Sequence, residues 1–115
     1  MGTAGKAYDR AVRYMVVERF LEGARPVYER AKAHGRMLPP GLVYVDSWID
    51  DRLYGAFQLM ETEDPRLLEQ WVEAWGDLVA FEIVPVIGST EAAVRAFASH
   101  GASGLEGGPG LPSVS

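Results

Sequence analysis

The sequence predicts a small α+β domain, four strands and two packing helices in the order β-α-β-β-α-β, on three features. Four runs rich in β-branched and aromatic residues stand apart along the chain, as strands require. The second and third lie so close together that they read as an antiparallel hairpin. The gap before that hairpin and the gap after it each hold apolar residues at helical spacing, with a proline near the start and a glycine at the end.

Residues 1–11 are rich in Gly and Ala and carry no pattern, so a flexible N-terminal arm is expected there. Val12 to Phe20 (VRYMVVERF) is the first strand, broken by Glu22-Gly23. Pro26 suits the first turn of a helix that runs to about His34 and stops at Gly35. Val27, Tyr28 and Ala31 form its apolar face. Met37 to Gly41 holds two prolines and must be irregular. Leu42 to Ile49 is the second strand and Tyr54 to Glu61 the third, joined by Asp50-Asp51-Arg52. Asp64 is a good N-cap and Pro65 falls at the first helical position. Leu67, Leu68, Trp71, Val72 and Trp75 then recur at helical spacing until Gly76. Leu78 to Ile87 is the fourth strand, and Pro85 inside it demands an edge position, since proline cannot donate to a central ladder. Ser89 or Thr90 caps an extra C-terminal helix through Ser99. Residues 101–115 are mostly Gly, Pro, Ser and Ala and are expected to be disordered, leaving 12–100 as the folded domain. The element order is that of the ferredoxin-like split β-α-β unit, whose antiparallel sheet has the order 4-1-3-2. That order also puts the Pro85 strand at an edge.

Composition narrows the function. At 48% apolar and 23% charged residues, the chain is that of an ordinary globular protein. A net charge of -5 with dispersed basic residues argues against nucleic acid as a partner, because phosphate binding needs clustered Lys and Arg. The absence of cysteine removes disulfides, thiol nucleophiles and thiolate metal sites together. The apolar runs are too short to cross a membrane, and Met1 to Arg10 lacks the apolar core of a secretion signal, so a cytoplasmic protein is expected.

Side chains alternate along a strand, so each sheet face can be assigned. Met15, Val17, Phe57, Leu59, Phe81 and Ile83 are expected under the helices. Val16, Glu18, Phe20, Ala56, Gln58, Met60, Glu82, Val84 and Val86 then form the second face, with Tyr44, Asp46 and Trp48 from the second strand. That face is too apolar for water, and a large apolar patch marks an interface. It also carries a band of polar groups, the usual description of a ligand site.

The blocks ERF at Glu18 to Phe20, GRMLP at Gly35 to Pro39, FQLMET at Phe57 to Thr62 and DLVAFEIVPV at Asp77 to Val86 resemble a family of short bacterial proteins. That family carries a domain of unknown function and is grouped with the dimeric α+β barrels; the resemblance covers roughly residues 12 to 95. It implies a homodimer of two sheets packed face to face, each protomer keeping a pocket. Relatives in that superfamily include cofactor-free monooxygenases, isomerases, cyclases, haem-degrading proteins and non-enzymatic modules, so fold alone does not select among them.

Glu18 and Glu82 are expected as neighbours on adjacent strands, where mutual repulsion would raise one pKa and supply a proton donor or base. The plainer reading pairs them with Arg13, Arg19 or a partner subunit, or leaves them solvated. His34 sits where a helix end favours a cation, and is either a carbonyl cap or a general base at a pocket mouth. Asp46 is a further acid–base candidate. Tyr44, Trp48, Gln58 and Met60 are the expected ligand-binding residues. Arg36, before the stiff MLPP loop, either grips a carboxylate or pairs with a surface acid. Trp71 and Trp75, four apart on one helix face, read as core, with a stacking platform as the alternative. No metal site is expected from two separated histidines, no phosphate loop matches, and no cofactor is called for. The expected protein is a homodimer that binds a small apolar or aromatic molecule, with cofactor-free cyclase, isomerase or monooxygenase chemistry as its activity. A non-catalytic dimerisation module is the alternative.

Overall fold

A computed structural model describes residues 11–100, with the backbone alone for Ser99 and His100. The arm up to residue 10 and the tail 101–115 lie outside the described residues. The chain forms β1 (Val12–Phe20), α1 (Ala24–His34), β2 (Val43–Ile49), β3 (Gly55–Thr62), α2 (Arg66–Trp75), β4 (Val79–Val86) and α3 (Ser89–His100). This is an α+β fold. The sheet runs β2-β3-β1-β4 with every neighbouring pair antiparallel, which is the expected order read from its other edge. β4 and its Pro85 stand at an edge.

Helix α2 begins one residue later than expected, at Arg66. Asp64 still caps it in effect, because its Oδ1 accepts the Arg66 backbone N–H at 3.0 Å. Leu68, Trp71 and Trp75 fall three and four residues apart and are the buried stripe of this helix. They pack on Val16, Phe20, Ala56, Met60 and Val79 of the sheet to make the core. Helix α1 faces the same core with Ala24, Val27 and Ala31, and none of its residues is fully buried. These small side chains cannot fill the space that the tryptophans fill under α2. A gap is left beneath α1.

The two sheet faces are exchanged on β1 and β3 relative to the sequence expectation. Val16, Glu18, Phe20, Ala56 and Met60 are buried under the helices, while Phe57 is 43% exposed on the other face with Met15, Val17 and Leu59. On β4 the expectation for Phe81 and Ile83 holds, since they pair with Glu18 and Val16 and pack on the core. The register corrects the proposed carboxylate pair. Glu82 lies opposite Val17, so it occupies the open face, away from Glu18. A register shift between Tyr44 and Asp46 divides β2 in the same way. Tyr44 lies opposite Met60 on the helix side, and Asp46 and Trp48 lie opposite Leu59 and Phe57 on the open side.

Helix α3 projects Val94 and Phe97 into solvent, 62% and 51% exposed. No helix among the described residues is long and apolar enough to cross a membrane.

Candidate functional site

The gap beneath α1 is a cavity of about 210 Å³. Phe20, Tyr28, Trp71 and Trp75 give it aromatic walls, Ala31 and Ala56 give it room, and Glu18 and Gln58 lie on its sheet side. A dry cavity of about 150 Å³ is enough for benzene, so this one accommodates a single substituted ring.

Glu18 is 7% exposed, a carboxyl group on the central strand β1. Burial pushes its pKa above the ordinary carboxylate range; the hydrogen bond from Gln58 and the charge of Arg36 pull the other way. Gln58 Nε2 donates to Glu18 Oε2 at 2.5 Å, and Gln58 Oε1 faces Arg36 Nε across a longer 3.5 Å contact. This order is dictated by chemistry. A guanidinium only donates, so the amide turns its oxygen to Arg36 and its N–H to Glu18. Glu18 Oε2 must therefore accept. Among the described residues the other oxygen, Oε1, takes no hydrogen bond, and no fully enclosed side-chain oxygen or nitrogen lacks one. Oε1 thus opens on the cavity. With Oε2 accepting from Gln58, Oε1 is the oxygen of Glu18 left to carry a proton.

Arg36 is exposed at the cavity rim, and its backbone is unusually well held. Its carbonyl oxygen accepts two indole N–H bonds, from Trp71 at 2.9 Å and Trp75 at 3.0 Å. Gly35 before it has φ 70° and Met37 after it φ 60°, a left-handed value that is uncommon for a residue with a side chain. The guanidinium stacks 3.6 Å from the Tyr44 ring centre, and the Tyr44 hydroxyl shares a 2.7 Å hydrogen bond with Ser47, another lining residue.

The structure gathers Glu18, Gln58 and Arg36 in the cavity lining, with Tyr44 stacked on Arg36 outside it. Met60 is fully buried in the core and does not line the cavity. Glu82, Asp46 and Trp48 are exposed on the open face, with Asp46 Oδ1 accepting the Ser47 backbone N–H at 2.8 Å. His34 is exposed at the end of α1 and is not part of the lining. Phe20 and Ala56 fell on the expected ligand face without being named as binding residues, Ser47 was not named, and Trp71 and Trp75 were read as core in preference to a stacking platform. The two tryptophans belong to core and lining alike, as the small residues of α1 opposite them could have signalled.

Fold and site together define an antiparallel α+β domain with an aromatic cavity closed on one side by a buried acid. Residues 12–101 match the family described as "Domain of unknown function (DUF3303)", and the chain belongs to that family. No curated protein and no solved structure matches it.

Proposed function

We propose that this protein is a homodimeric, ferredoxin-like α+β barrel that binds a small, single-ring organic molecule beneath α1 and exchanges a proton with it through Glu18. The observation that carries the site is Glu18 itself. A buried carboxyl group is retained at an apolar cavity, with one oxygen fixed by Gln58 and the other left for a ligand. Cofactor-free acid–base chemistry is consistent with that arrangement, since Oε1 can give or take a proton at a ligand hydroxyl or carbonyl. The dimer is supported by the apolar open face of the sheet, where Trp48, Phe57 and Val84 are each more than 40% exposed.

Phenol tests the cavity. Calorimetric titration should show one site per chain, and Ala31→Phe, which places a ring in the cavity from α1, should abolish binding while the protein stays folded. Phenol binding unchanged in Ala31→Phe, or no binding to the native protein, would sink the reading.

A further inference from the structure

The cavity has two unlike ends. Glu18 lies inside, and Arg36 stands at the rim, separated from it by one glutamine amide. Arg13, Arg25, Arg30, Arg52 and Arg66 each pair with a carboxylate of the chain. Arg36, like Arg19, has none within ion-pair distance among the described residues. Its Nε makes only the long contact to the neutral Gln58. Yet the protein fixes this side chain with the stacked Tyr44 ring, and fixes its backbone with two indole N–H groups and left-handed residues on either side. An arginine held in place without an anion presents its remaining N–H groups in a fork of fixed geometry.

Resting on the cavity reading above, we propose that Arg36 is a ligand-binding residue that grips a carboxylate, and that the ligand is a monocyclic hydroxy acid. Its ring lies against Trp71 and Trp75, its hydroxyl reaches Glu18 Oε1, and its carboxylate emerges at Arg36. The charges select this class. A cationic ring compound would meet Arg36 at the entrance. A dianion such as a phosphate monoester would bring a second negative charge near Glu18 with one arginine to balance it. The overall charge of -5 disfavours anions at long range, so a carboxylate needs a positioned cation, and Arg36 is the one at this rim.

Calorimetric titration of the full chain with 4-hydroxybenzoate, phenol and benzoate tests this. The hydroxy acid should bind at least tenfold more tightly than phenol. Arg36→Met should abolish that advantage, so that the variant binds 4-hydroxybenzoate and phenol alike, with Arg36→Lys falling between. The clamp on Arg36 uses its backbone carbonyl, so these variants keep it, and their melting temperatures report any wider damage. Equal affinities for phenol and 4-hydroxybenzoate, or an advantage that survives in Arg36→Met, would overturn the carboxylate proposal and leave the cavity reading standing. Failure of both phenol and 4-hydroxybenzoate to bind would overturn both.

Discussion

Glu18 burdens the native state in a way that depends on pH. Its folded pKa lies above the unfolded value of about 4.3, because burial disfavours the charge more than Gln58 and Arg36 restore it. The native state therefore holds a proton that the unfolded chain has already released, and stability falls as pH rises from the unfolded value through the folded one. Below the unfolded value the group is neutral in both states and the burden vanishes. Glu18→Gln keeps the shape and can still accept from Gln58, so its melting temperature should match the native protein near pH 4 and exceed it at pH 8. Two melting curves that stay parallel across that range would show that Glu18 is solvated. At this scale the sequence was partly legible. Glu18 and Gln58 were correctly placed on one face, because they lie near each other across an antiparallel pair. Glu82 lies on the open face as expected; the pair with it fails because Glu18 turns under the helices, where the β1 face was read the wrong way round.

Among the elements, α2 was the most legible and the strands the least, for one reason. Helix α2 has apolar residues on one side and charge on the other, so its period is unambiguous. On β1 and β3 both alternating sets are apolar: Met15 and Val17 against Val16 and Phe20, Phe57 and Leu59 against Ala56 and Met60. Alternation then locates a strand without saying which face is inside. Glu18 and Gln58 tilted the choice the wrong way, since polar groups normally face outward, and here they serve the cavity. The register shift in β2 leaves no mark in composition. Helix α2 also does more than fill the core, because Trp71 and Trp75 tie it to the carbonyl of Arg36. Trp71→Phe keeps an aromatic ring against Phe81 but removes one of those donors. It should destabilise the fold by about 2 kcal/mol, a lost buried hydrogen bond plus some lost packing. Urea denaturation measures this. A cost under about 0.5 kcal/mol would mean that Trp75 alone holds the loop.

The molecule as a whole presents one covered sheet face and one open one. The open face carries Met15, Val17, Phe57 and Leu59 on the two central strands, flanked by Trp48 and Val84. A standard interface buries about 800 Å² per partner, a demand that one face of a four-stranded sheet can meet. The homodimer proposed above would cover this surface, and Phe57 lies near its middle. Because Phe57 is 43% exposed within one chain, replacing it by Glu leaves the single subunit's core intact. In a dimer the same carboxylate would be buried against an apolar partner face with its twofold copy nearby, where neither desolvation nor repulsion is offset. Light scattering at micromolar concentration should therefore give twice the chain mass of 12.6 kDa for the native protein and the single-chain mass for Phe57→Glu. Circular dichroism should show the variant still folded. A native protein that stays monomeric, or a Phe57→Glu variant that stays dimeric, would remove the open face as the site of association. The cavity beneath α1 lies on the opposite side of the sheet, so ligand binding by the monomeric variant would further show that one chain builds the whole site.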